Sequence, residues 1–215
     1  MARASAPPVP DQRFLQGKPK RTLLVISVLL SAFYFVVMAF WFPAGNPILF
    51  GVLIATQAFY LWQVFTFAFT VWNTSTPKPT APKHRDGVDV FITVCGEPVD
   101  IVERTVRAAK AMDYPNFAVY ILNDGKVAGK DNWREIEQLA RRLHVKCFTR
   151  EKPGGAKAGN INHALGKTKR PYVAIFDADH VPHPDFLKEL MPYAGPKVGY
   201  VQSPQYYANS KQNRI

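Results

Sequence analysis

The chain of 215 residues has a formal net charge of +11, with 20% charged and 47% hydrophobic residues. The charge is unevenly distributed, because no Asp, Glu, Lys, Arg or His occurs from Thr22 to Trp72. A charge-free run of this length excludes an ordinary soluble core for that part of the chain. The basic balance indicates anionic partners, such as an anionic lipid surface or an anionic substrate. No interleaved basic and aromatic motif is visible, so nucleic acid is not a predicted partner.

The charge-free run contains two predicted transmembrane helices, at residues 22–42 and 48–72. Each is long enough to cross about 30 Å of hydrocarbon as a helix. A signal peptide is the alternative for the first helix, but the length of the run and the second apolar run favour a membrane hairpin. Basic residues flank both outer ends of the hairpin and are absent from its turn: Lys18, Lys20, Arg21, Lys78, Lys83 and Arg85. The positive-inside rule therefore predicts a multi-pass protein of the inner or plasma membrane, with both ends of the hairpin in the cytoplasm.

These features predict four parts of the chain. They are a cytoplasmic tail (1–21), the two transmembrane helices (22–72), a linker rich in Thr, Pro and Lys (73–87) and a soluble domain (88–215). Cys95 and Cys147 each lie within an apolar run, which predicts buried free thiols rather than a disulfide or a metal pair.

Beyond the linker, apolar strands alternate with amphipathic helices. Strands are predicted at 88–94, 118–122, 145–149, 172–176 and 198–202, and helices at 99–112, 131–143, 156–165 and 185–191. Such alternation predicts an α/β fold, with a parallel sheet and helices on its faces. Sheets of this kind bind ligands beyond the carboxyl ends of their strands, where the topology switches.

Charged residues follow four of the predicted strands at that edge. In chain order they are Glu97, Asp124, Lys157 and the pair Asp177 and Asp179. Each position also has an ordinary structural interpretation, such as a helix-dipole partner for Glu97, a turn for Asp124 and a surface charge for Lys157. Their common placement after successive strands favours a shared site.

The sequence Phe176-Asp177-Ala178-Asp179-His180 ends a predicted buried strand with two carboxylates. In an extended chain, residues i and i+2 point to the same face, about 6.5 to 7 Å apart. A divalent cation bound to phosphate oxygens would neutralise both, and Mg²⁺ is typically held by one or two carboxylates plus substrate phosphates. The alternative is an ordinary strand end, in which Asp177 caps the following turn and Asp179 is solvated. The histidines form no spaced cluster with cysteine, which argues against zinc.

The segment Gly154-Gly155-Ala156-Lys157-Ala158-Gly159-Asn160 has the composition of a phosphate cradle at a helix start. Small residues let backbone amides approach an anion, and the lysine adds positive charge. The spacing of a P-loop is absent, and so is Gly-x-Gly-x-x-Gly. The sequence therefore argues against an ATPase and against a dinucleotide-dependent dehydrogenase.

Four motifs, taken together and in this order, resemble those of the family 2 glycosyltransferases, specifically the membrane-embedded cellulose synthase branch. They are Ile121-Leu122-Asn123-Asp124-Gly125, Ala156-Lys157-Ala158-Gly159-Asn160, Phe176-Asp177-Ala178-Asp179-His180-Val181-Pro182 and Val201-Gln202-Ser203-Pro204-Gln205-Tyr206-Tyr207. The resemblance covers residues 88–215 and the preceding hairpin. It implies a GT-A fold, which is Rossmann-like with a mainly parallel sheet and helices on both faces, a UDP-sugar donor, and Mg²⁺ or Mn²⁺ as cofactor.

The resemblance also implies roles for individual residues of the donor site. Asp124 faces the uracil and ribose, and Lys157, with the turn that includes Asn160, approaches the diphosphate. Asp179 is the direct metal ligand, while Asp177 takes part in the metal site and lies nearer the nucleotide.

Other implied roles concern the rims of the site. Glu97 matches the acidic residue that ends the first-strand motif, and Gln202 and Gln205 belong to a segment near the acceptor or donor sugar. Two positions depart from the family pattern. Cys95 stands where many relatives have an aromatic residue, which puts a base contact from there in doubt, and Asn123 stands where relatives often have Asp.

The implied reaction is an inverting transfer of a sugar, glucose in the cellulose branch, from a UDP-sugar to a growing β-glucan. The family's general base and polymer-binding motifs have no match before Ile215, so the sequence predicts an inactive N-terminal fragment with the catalytic base unassigned. The implied partners are a glycan acceptor, the lipid bilayer and further synthase-complex subunits. The alternatives are a non-processive or other-polymer (chitin- or hyaluronan-type) family 2 glycosyltransferase, and a non-catalytic membrane-anchored nucleotide-binding module.

Overall fold

The computed structural model describes residues 20–73, 79 and 86–206. The chain divides into two compact units, one containing the helical hairpin and the other containing most of residues 78–203. Most of the predicted tail (1–21) and most of the predicted linker (73–87) lie outside the described residues.

The hairpin consists of α1 (Arg21–Phe40) and α2 (Pro47–Val71), close to the predicted bounds. Helix α2 begins with Pro at its first position, and the Asn46 side chain accepts hydrogen bonds from the N–H groups of Ile48 (3.0 Å) and Leu49 (3.2 Å). This cap explains why the chain re-enters a helix directly after the Pro-Ala-Gly-Asn turn. By length and composition, both helices could cross a membrane, and their apolar windows are not buried in the protein.

The second unit alternates strands and helices as the sequence predicts. Its strands are β1 (Val88–Val94), β2 (Phe117–Asn123), β3 (Lys146–Thr149) and β4 (Tyr172–Asp177). Its helices are α3 (Val99–Lys110), α4 (Trp133–Arg142), α5 (Ala156–Leu165) and the short α6 (Phe186–Leu190). The predicted bounds of β1 and α5 match these at both ends, and the others differ by at most two residues at either end, which is the usual uncertainty of element boundaries.

The sheet has the order β3-β2-β1-β4, and all strands are parallel. From β1 the chain moves outward to β2 and β3, then returns to the other side of β1 as β4. The topology therefore switches between β1 and β4, which is where open α/β sheets bind ligands. In the register, Thr93 lies beside Asp177, and Asn123 lies beside Thr149.

Helices cover both faces of the sheet, as predicted. One face packs against α3 and α4 through Val90 and Ile92, which are fully buried. The intervening Phe91 points to the opposite face and packs with Leu122, Phe148 and Ala164 of α5. This alternation explains why β1 reads as a continuous hydrophobic run in the sequence.

Asp89 is the one charged residue within β1, and its side chain is fully buried near the start of the strand. It accepts hydrogen bonds from the Arg170 Nη1 (2.9 Å) and from the Arg170 backbone N–H (3.1 Å). This pair lies at the edge opposite the strand ends that carry the predicted site. Asp89 is therefore satisfied by Arg170 and belongs to the frame of the fold.

The predicted strand at 198–202 and the predicted burial of Cys95 are wrong. Residues 198–202 form no strand, and Val198 and Tyr200 are exposed, because this segment forms no ladder with β4 and a strand needs a partner for its backbone groups. Cys95 is exposed rather than buried, because β1 ends at Val94 and Cys95 begins the following loop. Cys147, in β3, is partly buried.

Candidate active site

The loop after β1 is stabilised by the side chain of Glu97, which belongs to the loop itself. Glu97 Oε2 accepts a hydrogen bond from the backbone N–H of Cys95 at 2.6 Å. Asn132, just before α4, donates its side-chain amide to the carbonyl oxygen of Glu97 at 2.9 Å. Glu97 therefore lies at the predicted edge, where its carboxylate supports the loop.

Asp124, directly after β2, is buried in a bidentate ion pair with Arg150. Arg150 Nε and Nη2 donate to the two carboxylate oxygens, each at 2.6 Å, and both side chains are less than a tenth exposed. The pairing of Asn123 with Thr149 in neighbouring strands brings the two residues together. The hydrogen bond to Asp124 raises the pKa of Arg150 against the opposing effect of burial. The charged guanidinium is therefore favoured although it is buried.

Arg150 also organises the glycine-rich segment before α5. Its Nη1 donates to the Gly154 carbonyl at 2.6 Å, and its Nη2 to the Ala156 carbonyl at 3.2 Å. Gly154, Gly155 and Ala156 have φ values of 140°, 66° and 44°. Such a backbone favours glycine, and the small side chains let the segment fold around the guanidinium. Sequence reasoning missed Arg150; the available signal was a basic residue one position after β3, at the same edge as the acids.

Lys157, in the first turn of α5, forms an ion pair with Asp177 at the end of β4. Asp177 Oδ1 also accepts a hydrogen bond from the Thr93 hydroxyl of β1 at 3.1 Å. Partial burial raises the pKa of Asp177. The hydrogen bond and the positive charge of Lys157 lower it, and Thr93 and His180 lower it further, so that the pKa lies below its usual value. The structure therefore brings together two of the predicted residues across the topological switch.

The segment 177–180, here called the acidic turn, differs from the predicted extended geometry. Strand β4 ends at Asp177, and the N–H of His180 donates to the Asp177 carbonyl at 3.0 Å, so Asp179 lies in a turn. The two carboxylates flank one imidazole ring, with His180 Nδ1 3.9 Å from Asp177 Oδ2 and Nε2 3.8 Å from Asp179 Oδ1. Both acids therefore face one location, although the prediction of an extended pair is wrong.

The sequence of the α/β unit matches that of a known family. A family model described as "Glycosyltransferase like family 2" matches residues 84–214. The chain belongs to this family.

Two curated relatives are cellulose synthase catalytic subunits [UDP-forming]. That of Pseudomonas fluorescens (strain SBW25) is 33% identical over 209 residues, which cover 90% of this chain and 28% of the relative. That of Xanthomonas axonopodis pv. citri (strain 306) is 37% identical over 135 residues, covering 61% of this chain and 18% of the relative. The chain thus spans less than a third of the length of these relatives.

A solved structure shows the shared fold. It is a mannosyltransferase of Pyrobaculum calidifontis in complex with GDP-Man and Mn²⁺, 18% identical, with a TM-score of 0.52 over 83% of this chain and 44% of that chain. Together with the family match and the parallel sheet, this likeness confirms the predicted GT-A class of fold.

The remaining predicted residues of this glycosyltransferase domain take different positions. Asn160 is buried and donates its amide to the Leu122 carbonyl at 3.0 Å, while its Oδ1 has no partner among the described residues. Gln202 is exposed in an irregular segment, and Gln205 falls in the other unit of the chain. Asn160 therefore joins α5 to β2 below the site, and the glutamines are not brought into it by the described contacts.

The acidic turn offers the oxygen ligands of a hard cation. Within the described residues, no group of three or more His, Cys, Asp and Glu side chains is arranged to hold a metal. The pair Asp177 and Asp179 is instead suited to Mg²⁺ or Mn²⁺ that takes its other ligands from a bound phosphate. The side chain of Asp179 is 68% exposed and thus open to such a ligand.

Neither thiol of the domain has the environment of a nucleophile. Loss of hydration, followed by the nearby carboxylates of Asp124 and Glu97, raises the pKa of Cys95. Burial raises the pKa of Cys147 to about 11. Both shifts favour the protonated thiol, so neither cysteine has the lowered pKa that is typical of a thiolate nucleophile.

Proposed function

We propose that this chain contains the donor-binding part of a membrane-bound, UDP-sugar-dependent glycosyltransferase of the cellulose synthase type. The reaction is the inverting transfer of a sugar, glucose in the cellulose synthases, from UDP to a growing β-glucan. The observation that carries the proposal is that Asp124, Asp177 and Asp179 follow the carboxyl ends of strands in one parallel sheet, with Lys157 paired to Asp177, in a chain of this family. Both cellulose synthase relatives are UDP-forming, which supports the choice of UDP.

Asp124 is proposed to bind the uracil and ribose. Arg150 holds its carboxylate in a fixed plane and takes one acceptor position on each oxygen. Each carboxylate oxygen can accept a second hydrogen bond, so the acid retains acceptors for the nucleoside. These two acceptor oxygens would bind hydrogen-bond donors of the base and sugar. Because the Asp124 side chain is already held in place, binding would not carry the entropy cost of ordering it.

Lys157 and the start of α5 are proposed to bind the diphosphate. The N-terminus of a helix presents free N–H groups and a positive dipole, and Lys157 adds a full charge. The Lys157 side chain is half exposed and pairs with Asp177, so it is placed between the helix start and the acidic turn. It can therefore neutralise a phosphate oxygen at the same location.

Asp177 and Asp179 are proposed to hold Mg²⁺ or Mn²⁺ together with the phosphates of the donor. A bound cation would neutralise the charge that develops on the departing UDP. The Mn²⁺ in the Pyrobaculum calidifontis complex supports this choice of ion. Glu97 is proposed to shape the rim beside the nucleoside, and Asn160 to support α5, while Gln202 and Gln205 remain proposed sugar or acceptor contacts.

The α1–α2 hairpin is proposed to anchor the protein in the inner or plasma membrane, with its two ends and the α/β unit on the cytoplasmic side. The support is the length and apolar composition of both helices and the basic residues outside them. The acceptor glycan and any further synthase subunits would meet the protein in this setting.

The proposal is tested by titration calorimetry of the 215-residue chain in detergent micelles. UDP, UDP-glucose and GDP-mannose are titrated with and without Mn²⁺ into the wild type, Asp179→Ala and the control Asp185→Ala. Asp185 is a partly exposed acid that pairs with His183 outside the acidic turn. We expect Mn²⁺-dependent binding of the UDP ligands, weakened at least about tenfold by Asp179→Ala, because a metal ligand is lost. A folded wild type that binds neither UDP ligand, or that prefers GDP-mannose, would contradict the proposal.

A further inference from the structure

The acidic turn is held from the helical layer by a hydroxyl group that sequence reasoning did not single out. Thr105 of α3 is fully buried, and its Oγ1 donates to the carbonyl oxygen of Ala178 at 2.6 Å. Ala178 is the central residue between the two acids and is itself buried. The contact therefore joins the middle of α3 to the middle of the turn.

This hydrogen bond is unusual for a threonine inside a helix. Such a hydroxyl commonly bonds the carbonyl three or four residues earlier in its own helix, as Thr56, Thr66 and Thr70 do in α2. Thr105 instead donates to a carbonyl 73 residues away in the sequence. Without it, the buried carbonyl of Ala178 would lose its donor, which is costly for a group shielded from water.

The donor also rests on a rigid support. Helix α3 packs its buried face, which includes Val102, Val106 and Ala109, against the sheet core. On the other side of the turn, Thr93 of β1 donates to the Asp177 carboxylate. The backbone of the turn is thus fixed from α3, and the orientation of its first acid is fixed from β1.

We propose that Thr105 is a positioning residue for the metal site: by holding the Ala178 carbonyl, it sets the turn so that Asp177 and Asp179 present their carboxylates to one cation. The inference rests on the proposed function, because it presumes a donor-bound cation at the acidic turn. Thr105 itself lies beneath the turn and acts only through it. Its effect is therefore on cation-dependent binding and not on contacts of the nucleotide with Asp124.

The test separates these two parts of donor binding. UDP is titrated into the 215-residue chain in detergent, with and without Mn²⁺, for the wild type and for Thr105→Val, Thr105→Ser and Thr168→Val. Valine matches threonine in shape but lacks the donor, and serine keeps the hydroxyl. Thr168 is a matched control, since its hydroxyl donates to the Ala164 carbonyl at 3.3 Å at the far end of α5.

We expect Thr105→Val to reduce the Mn²⁺-dependent gain in UDP affinity about tenfold, the usual scale for a residue that supports a metal ligand. The UDP affinity without Mn²⁺ should stay within about twofold of the wild type, since the bidentate pair at Asp124 is untouched. Thr105→Ser and Thr168→Val should both retain the gain. Circular dichroism confirms folding, and Thr105→Ala tests the same bond if the valine variant does not fold.

Three outcomes would overturn the inference. The first is a Thr105→Val protein with the full Mn²⁺-dependent gain. The second is an equal loss of UDP affinity with and without Mn²⁺, which would indicate a merely structural role. The third is a wild type without any Mn²⁺-dependent UDP binding, in which case the proposed function fails as well; the wild-type titration alone identifies that case.

Discussion

Arg150 shows how much of the candidate site depends on one side chain that no sequence motif indicated. Its guanidinium makes four hydrogen bonds, two to Asp124 and one each to the carbonyls of Gly154 and Ala156. It thereby links Asp124, which is proposed to bind the nucleoside, to the glycine-rich segment before α5, which precedes the proposed diphosphate site. Arg is suited to this because its planar fork donates in fixed directions.

Replacement of Arg150 by methionine should strongly destabilise the α/β unit. The Asp124 carboxylate would remain buried without its partner, and breaking a buried pair in this way costs about 3 to 5 kcal/mol. Urea denaturation of the 215-residue chain in detergent, monitored by hydrogen exchange of the β2 amides, measures the change in the free energy of unfolding. The control is Lys188→Met, which removes an ion pair to Asp113 whose members are both mostly exposed. Equal, small effects of the two substitutions would show that the Asp124 carboxylate does not depend on Arg150.

Helix α5 begins where the segment around Arg150 ends, and its start depends on one close backbone approach. A Cβ atom on Gly159 would lie 2.1 Å from the Gly154 carbonyl oxygen and 2.8 Å from Arg150 Nη1. The first turn of α5 can therefore fold back over the glycine-rich segment only if residue 159 has no side chain. Gly166, at the end of the same helix, has φ −66°, and a Cβ atom there would lie 3.8 Å from the His163 carbonyl oxygen, its nearest neighbour.

The substitution Gly159→Ala should therefore displace the segment 154–156 and destabilise the unit by about 1 to 3 kcal/mol, the usual cost of overpacking. Gly166→Ala, the matched control in α5, should be neutral or slightly stabilising, because its backbone suits alanine. Thermal unfolding of both variants, with UDP affinity as a second measurement, checks the expectation. A Gly159→Ala protein as stable as Gly166→Ala would show that the close approach is dispensable.

At the scale of the whole molecule, a hairpin of two apolar helices precedes an α/β unit with a polar edge. The surfaces of α1 and α2 carry exposed leucine, phenylalanine and valine side chains, whereas α3 and α4 bury most of their apolar side chains against the sheet. An apolar surface of this extent is stable in a bilayer and aggregation-prone in water. The hairpin is therefore suited to a lipid bilayer, and the α/β unit is suited to water.

An arginine in the middle of α1 tests this division. Leu30→Arg should reduce membrane insertion, because arginine at the centre of a transmembrane helix costs about 2.5 to 3.5 kcal/mol. The fraction of the 215-residue chain that stays in membranes after alkaline extraction measures the effect. Leu30→Phe, which keeps an apolar side chain there, should behave as the wild type does. Full retention of the arginine variant would argue against α1 as a spanning helix.

Most of the fold could be predicted from the sequence, and so could the edge that carries the site. The charge-free runs predicted α1 and α2, and hydrophobic periodicity predicted all four strands of the sheet. The strand predicted at 198–202 failed, because periodicity cannot say whether a neighbouring strand is present to pair with it. The extended geometry of Asp177 and Asp179 failed because β4 ends at the first acid.

The sequence by itself determined the order of the elements, the position of the acids after successive strands and the family, since these depend on residues close together in the chain. Only the tertiary structure decided which side chains meet: Arg150 with Asp124, Lys157 with Asp177, and Thr105 with the Ala178 carbonyl. These contacts join segments 20 to 73 residues apart. They follow from strand register and helix packing, which bring distant residues within hydrogen-bonding distance and which no local pattern specifies.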